Sequence, residues 1–332
     1  MTTRIIAAVL ALAALASCSK DDGNITDGGI QDDSRTAIVP SASLNASAAS
    51  GSRAALPEGP VAGTTFPAST EKLFAVTAYK GTTAPSSDYS TAYFDNEAVD
   101  SDAEGRLSFE TMQYYPADGE KLYFYAYSPV RAAASDGDGY TAGTASGAPT
   151  VKYTITGQQD ILWAKADDGT GKVSAGTVQP QPEFGFEHLL KRVRFKLVRG
   201  EGFGDGIHAT RISITGCRTQ ASLDPISGTL TFSGEGSPLS LAGNYAIQSA
   251  EQAAEISESL MCEPGPALSL EVEAQGITYR TSVTLTSSDS GITAGGAGVS
   301  HLVTLTFIGT QIVPEASIEP WIDAGETEGT IK

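Results

Sequence analysis

Short segments in which apolar and polar residues alternate recur along this chain, and they constrain its fold more than any other feature. Strand side chains point alternately to opposite faces, so a period of two is typical of half-buried β-strands. Turn residues such as Asp224–Gly228 separate the segments. The clearest predicted strands are Lys72–Tyr79, Arg106–Phe109, Lys121–Tyr127, Val151–Ile155, Ile161–Ala164, Phe184–Leu197, Arg211–Ile214, Thr229–Phe232, Leu268–Val272, Thr278–Leu285 and His301–Phe307. Ser249–Leu260 has poor apolar spacing and is expected to be a loop or a short helix.

The predicted strands follow one another without intervening helices, which favours an all-β fold of β-sandwich domains over a parallel α/β sheet. The chain has 332 residues, enough for two domains. Asp167–Gln181 is rich in Gly, Pro and Gln and is interpreted as the boundary. We therefore expect an N-terminal domain at residues 37–180, with its first strand at 37–47, and a C-terminal domain at 181–332 with a tail at 311–332.

The charge balance excludes one class of partner. The chain carries 39 Asp and Glu against 21 Lys and Arg, a formal net charge of -18. Binding to a phosphate backbone needs clustered Lys and Arg, so no nucleic-acid partner is expected. Hydrophobic residues make up 40% of the chain, which is enough to build packed cores and argues against a disordered protein.

The N-terminus has the layout of a secretory signal. Ile5–Ala16 is an unbroken apolar run that is too short for a membrane-spanning helix of roughly 20 residues. Leu15–Cys18 resembles a bacterial lipobox, which makes residues 1–17 a lipoprotein signal peptide and Cys18 the lipidation site. Residues 18–36 then form a flexible polar tether. The alternative is an ordinary secretory signal with an incidental Cys.

Motifs for catalysis and metal binding are missing from the sequence. There is no GxSxG or HExxH motif, so neither an enzyme nor a cofactor is predicted. Asp100–Gly105 resembles the start of a calcium loop, but its twelfth position is Thr111 instead of Glu, so it is interpreted as an acidic turn and no metal site is expected. His188 is expected to be a structural, hydrogen-bonded histidine. Cys217 and Cys262 could form a disulfide or stay as buried thiols.

Several segments together resemble the fimbrillins of Bacteroidia, the type V pilins, across nearly the whole chain. Ser52-Arg53-Ala54 lies in a loop after the first predicted strand, and Ser19–Asp22 after the lipobox looks like the surface-export signal of Bacteroidota lipoproteins. Asp118–Tyr127 looks like the aromatic strand of the family, Asp160–Ala164 like its "D-L-aromatic-A" segment, and Phe186–Phe195 like the start of its second domain.

The resemblance implies a pilus subunit precursor with two tandem transthyretin-like, Greek-key sandwiches, exported as a lipoprotein to the outer membrane and exposed at the cell surface. An arginine-specific protease would cut after Arg53, less plausibly after Arg35, which precedes the first strand. Loss of residues 37–47 would open a groove for the C-terminal segment of another pilin subunit. This is β-augmentation, in which a bare strand edge receives a partner's strand.

Two alternatives stay open at this stage. Ala316, Ile318 and Ile322 share one face at strand spacing, so the tail could be the donor strand or simply the last strand of the second domain. The chain could polymerise into a pilus, with a contribution to adhesion. It could instead be a non-polymerising tip or surface adhesin that binds a glycan, a host protein or another bacterial surface ligand.

Overall fold

A computed structural model describes residues 36–44, 55–56, 59–60, 69–102, 105–118, 120–134, 137–166, 181–287, 291–309 and 311–319. These residues form an all-β protein with twenty-one strands. No helix that is long and apolar enough to cross a membrane occurs in this part of the chain. In chain order the strands are β1 (Ser41–Leu44), β2 (Ala55–Leu56), β3 (Gly59–Pro60), β4 (Ser69–Lys80), β5 (Phe94–Ser101), β6 (Leu107–Phe109), β7 (Leu122–Ser128), β8 (Gly139–Thr141), β9 (Thr150–Thr154), β10 (Leu162–Lys165), β11 (Glu183–His188), β12 (Lys191–Arg199), β13 (His208–Thr215), β14 (Arg218–Asp224), β15 (Thr229–Gly236), β16 (Leu239–Ala246), β17 (Glu255–Cys262), β18 (Ala267–Ala274), β19 (Ile277–Thr284), β20 (Ser300–Ile308) and β21 (Gln311–Glu319).

The first half of the chain is dominated by a seven-stranded sheet with the order β1-β11-β10-β7-β4-β5-β6. Its central strand β7 is buried at every residue, so this strand shows no solvent-facing side. Buried aromatic rings fill the core beside the sheet, and the ring centroids of Phe74 and Phe186 are 5.1 Å apart.

The second half forms two four-stranded sheets, β17-β12-β20-β21 and β16-β13-β18-β19. In the first of them β12 and β20 run parallel, with Arg192 opposite Ser300 and Arg199 opposite Phe307. Inward-facing residues of both sheets belong to one buried core, as a β-sandwich requires. The prediction of an all-β protein built of β-sandwich sheets is therefore confirmed.

A third four-stranded sheet, β15-β14-β9-β8, combines strands from both halves of the chain. Here β9 pairs with β14 from Leu223 opposite Val151 to Gln220 opposite Thr154. Trp163 of β10 reaches the same sheet, because its indole Nε1 donates a hydrogen bond of 2.7 Å to the Pro225 carbonyl. The two halves therefore share both a sheet and a core.

Two local expectations differ from the structure. Glu183–His188, placed by sequence at the head of the second domain, is β11 and pairs with β10 and β1 in the first sheet. Glu255–Cys262, inside the segment expected to be a loop or a short helix, is strand β17. The first five residues of β17 are exposed or only half-buried because it is an edge strand, so its sequence carries no clear alternation.

Candidate functional site: the seat of the N-terminal segment

Thr36–Leu44, called here the N-terminal segment, lies along β11. Its strand β1 runs parallel to β11, with Ser41 opposite Glu183 and Leu44 opposite Phe186. The Ser41 amide donates a hydrogen bond of 2.9 Å to the Pro182 carbonyl. The N-terminal segment therefore covers an edge of β11 that would otherwise present unpaired backbone groups.

Gly105–Tyr115, called here the flanking segment, pairs with the other side of the N-terminal segment. The Ala42 amide donates to the Gly105 carbonyl at 2.7 Å, and the Leu107 amide donates to the Pro40 carbonyl at 2.7 Å. Further along, the amide of Ile38 donates to the Gln113 carbonyl at 2.8 Å. Isolated antiparallel bridges join Ala37 to Tyr114 and Ser41 to Arg106. The N-terminal segment is thus hydrogen-bonded along both of its edges.

Side chains of the N-terminal segment alternate between the core and solvent. Ile38, Pro40, Ala42 and Leu44 are buried, whereas Val39 and Ser43 are exposed. Ile38, Ala42 and Leu44 belong to the same core cluster as the phenylalanines of β4, β7 and β11. Burial of one Ile or Leu side chain contributes roughly 1.5–3 kcal/mol, so the segment is an integral part of the first core.

The side chain of Gln181, just before β11, makes two hydrogen bonds to the backbone of the N-terminal segment. Its Oε1 accepts a hydrogen bond of 2.7 Å from the Val39 amide, and its Nε2 donates one of 3.2 Å to the Ala37 carbonyl. Removal of the N-terminal segment would leave an apolar groove with unpaired backbone groups along both of its edges. We call this space, between β11 and the flanking segment, the N-terminal groove.

The sequence-predicted processing sites are Cys18, Arg35 and Arg53, and all three lie outside the described residues. Their order along the chain still constrains what cleavage could do. Arg35 directly precedes the N-terminal segment, so a cut there would leave the segment joined to the rest of the protein. Arg53 follows the segment, so a cut there would separate the segment covalently from Ala54 and all later residues.

The predicted donor residues lie on the last described strand. Strand β21 pairs antiparallel with β20, with Ala316 opposite Val303 and Ile318 opposite His301. Both side chains are half-buried, together with Ile312 and Pro314, whereas the intervening Val313 is 50% exposed. Ile322, the third predicted donor residue, lies outside the described residues. In this chain β21 thus serves as the end strand of its sheet.

The sequence of β21 repeats that of the N-terminal segment, although neither strand periodicity nor any catalytic motif marks the repeat. Residues 38–44 read IVPSASL and residues 312–318 read IVPEASI, with five of seven positions identical. Ile, Pro and Ala occupy matching inward-facing positions in the two segments, and the fourth inward position is Leu44 in one and Ile318 in the other. A direct comparison of the two chain ends would have found this repeat.

Residues 62–321 match the family profile described as fimbrillin-like. The chain belongs to the fimbrillin-like family. Membership in the fimbrillin-like family implies a fimbrial or adhesion role and a location at the cell surface or in a pilus. No curated protein matches the sequence.

Solved structures agree with the fimbrillin-like fold. A candidate cell adhesion protein from Bacteroides ovatus has a TM-score of 0.54 at 17% identity, over 88% of this chain and 99% of that one. Another from Bacteroides uniformis has a TM-score of 0.53 at 16% identity, over 86% and 98%. A fimbrial protein from Bacteroides vulgatus has a TM-score of 0.50 at 15% identity, over 75% and 92%. At these identities the likeness concerns the fold alone.

Three further features noted in the sequence are His188, the acidic turn at Asp100–Gly105 and the pair of Cys217 and Cys262. His188 is buried, and its Nδ1 lies 2.6 Å from Asp160 Oδ2, also buried. Asp102 of the acidic turn accepts a hydrogen bond of 2.7 Å from the Arg106 amide. Among the described residues, no group of His, Cys, Asp and Glu is arranged to hold a metal ion. Cys217 and Cys262 are free thiols.

Proposed function

We propose that this chain is a fimbrial subunit precursor that exchanges its N-terminal segment for strand β21 of another copy. The single observation that carries the proposal is the repeat of Ile38–Leu44 in Ile312–Ile318, with residues at the same four positions facing inward. A groove that binds one of these sequences presents matching pockets and backbone groups to the other.

The exchange has a physical driving force. In the N-terminal groove, Ile38 is 1% exposed and Leu44 is 6% exposed, whereas Ile312 and Ile318 are only half-buried in their own sheet. A copy of β21 that enters the groove therefore buries more apolar surface there than it buries beside β20 in its own sheet. It also gains hydrogen bonds along two edges, while in its own sheet it is the end strand beside β20. Exposure of β20 offsets part of this gain.

Proteolysis would start the exchange. Arg53 is the only Lys or Arg between residues 36 and 71, so one cut after Arg53 frees the N-terminal segment from the chain that holds the groove. Until that cut the segment is covalently tethered and has a high effective concentration at the groove, which keeps the precursor monomeric. After the cut, the N-terminal segment loses this tether, and β21 of a neighbouring copy can compete with it for the groove.

The remaining parts of the proposal concern location and partners. Lipidation of Cys18 would anchor the precursor in the outer membrane until assembly, and other pilin subunits are its partners. The exposed loops of the assembled pilus would then contribute to adhesion to a host or bacterial surface, since loops carry most binding functions.

Limited digestion with an arginine-specific protease tests the proposal. The mature chain should yield a core that begins at Ala54, followed by slow formation of a ladder of oligomers on gels and in sizing runs. Arg53→Ala should keep the N-terminal segment joined to the core, even if Arg35 is cut, and should remain monomeric. Arg53→Lys should resist the arginine-specific enzyme but yield the core and ladder with trypsin. A cut core that stays monomeric would overturn polymerisation and favour the tip or surface adhesin.

A further inference from the structure

The two repeated segments differ in charge at one position. Ser41 of the N-terminal segment corresponds to Glu315 of β21. The surrounding residues are the same, with Pro before and Ala-Ser after in each segment. An exchange that keeps the register of the repeat therefore introduces one carboxylate at the position of Ser41.

The neighbours of Ser41 are charged on both sides. Arg106 of the flanking segment pairs with it across an antiparallel bridge, and Glu183 of β11 is its partner in the parallel pairing. Directly paired residues of neighbouring strands project to the same face, so Arg106, Ser41 and Glu183 form one row. Both charged residues are exposed, and Ser41 is half-buried between them.

Proline restricts the register in which β21 can enter the groove. Pro40 has no amide hydrogen to donate and takes part only through its carbonyl, which accepts from Leu107. A shift by two residues would put Pro314 at the position of Ile38 or Ala42, whose amides donate to the flanking segment. A shift by one residue would turn the apolar side chains to solvent. Only the unshifted register places Pro314 at the position of Pro40.

We propose that Glu315 of a second copy takes the position of Ser41 and pairs with Arg106, so that this ion pair selects the exchanged strand and fixes its register. The inference rests on the proposed strand exchange between copies. Arg106 also neutralises the carboxylate that would otherwise face Glu183. Loss of Arg106 therefore leaves two carboxylates adjacent, which opposes binding.

A peptide exchange experiment tests this inference separately from polymerisation. The full chain receives a site-specific protease sequence in place of residues 48–53, so that the nick does not depend on Arg53. After the nick, a labelled peptide with the sequence of residues 311–319 competes for the groove. Release of the N-terminal fragment and retention of the label are measured by sizing and mass spectrometry. The Glu315→Ser peptide, which restores the residue type of the N-terminal segment, is the matched control.

We expect Arg106→Glu to weaken binding of the natural peptide about 3- to 10-fold at low salt and less at high salt, since exposed pairs are screened. Binding of the Glu315→Ser peptide should change less than about 2-fold in the same variant. A Glu315→Lys peptide should bind Arg106→Glu better than the natural peptide does, because its ammonium then lies between two carboxylates.

Equal effects of Arg106→Glu on the natural peptide and the Glu315→Ser peptide, or no peptide binding, would overturn the inference. Peptide binding that depends on Arg106, without any oligomer ladder from the cut natural chain, would support the ion pair and overturn polymerisation. A ladder that forms with no dependence on Arg106 would support the proposed function and overturn the ion pair.

Discussion

The backbone of Gly105 lies so close to the backbone of Ala42 that a side chain at position 105 would clash with Ala42. The Ala42 amide donates a hydrogen bond of 2.7 Å to the Gly105 carbonyl, and a Cβ on Gly105 would lie 2.5 Å from the Ala42 carbonyl oxygen. The φ angle of Gly105 is +81°, in the region that favours glycine. This glycine therefore permits the contact between the flanking segment and the N-terminal segment.

Gly105→Ala is expected to destabilise the precursor by about 2–4 kcal/mol, because it combines backbone strain with a clash against the N-terminal segment. Gly137→Ala is the matched control, since its φ is +74° but a Cβ there has nothing within 4 Å. Chemical denaturation of both variants checks the difference. Equal losses would mean that the contact with Ala42 contributes nothing.

Ile38→Ala should lower the free energy of unfolding by about 2–5 kcal/mol, because the side chain is 1% exposed and its loss leaves a cavity. The neighbouring Val39 is 40% exposed, so Val39→Ala should cost less than about 1 kcal/mol. After a cut at Arg53, Ile38→Ala should also release the N-terminal fragment faster. Similar values for the two variants would contradict the inward placement of Ile38.

Gly228→Ala should weaken the junction between the two halves of the chain. A Cβ on Gly228 would lie 2.5 Å from the ring of Trp163, and the φ of Gly228 is +75°. We expect a loss of about 2–4 kcal/mol, measured as a lower midpoint of denaturation. Gly216→Ala, with a φ of +79° and nothing within 4 Å, should lose less. The wild-type halves share a core, so a single unfolding transition is expected.

His301 should make stability depend on pH in the mildly acidic range. Burial, reinforced by the charges of Lys191 and Arg194, lowers the pKa of His301 to about 4. Its Nε2 accepts a hydrogen bond of 3.0 Å from the Gly295 amide. The unfolded chain binds the proton near pH 6.5 and the folded chain does not, so stability present above that pH is lost as pH falls toward 4.

The His301 contribution is measured as a difference between two variants of the same chain. Urea denaturation of wild type and His301→Gln at several pH values should show a wild-type stability that declines by up to about 3 kcal/mol more than that of the variant between about pH 6.5 and pH 4. Parallel curves would rule out a depressed pKa of His301.

Cys217 and Cys262 should differ sharply in reactivity. A hydrogen bond from Cys262, with help from the Lys191 ammonium, lowers the pKa of the half-buried Cys217 thiol. The hydrogen bond and burial raise the pKa of Cys262. Since the thiolate is the nucleophile, iodoacetamide should modify Cys217 first and at lower pH than an ordinary thiol. Peptide mapping of the alkylated protein checks this, and faster labelling of Cys262 would contradict it.

Several strands were predictable because the signal for them is local. Val151–Ile155 alternates strictly in sequence, and in β9 the side chains of Val151 and Tyr153 are buried while Lys152 is exposed. Strand β17 was missed because an exposed edge strand needs no apolar alternation. The partners of each strand were not predictable, because strands pair through backbone N–H and C=O groups, which are nearly the same in every residue. The pairing of β9 with β14, far apart in the chain, is an example.

The sequence by itself determined the all-β class, the family resemblance and the repeat between Ile38–Leu44 and Ile312–Ile318, because these depend on residue order and local periodicity. Only the tertiary structure decided that the N-terminal segment lies between β11 and the flanking segment, and that Arg106 and Glu183 lie on either side of Ser41. These contacts join residues far apart in sequence, and long-range pairing is decided by burial and hydrogen bonding in the whole fold.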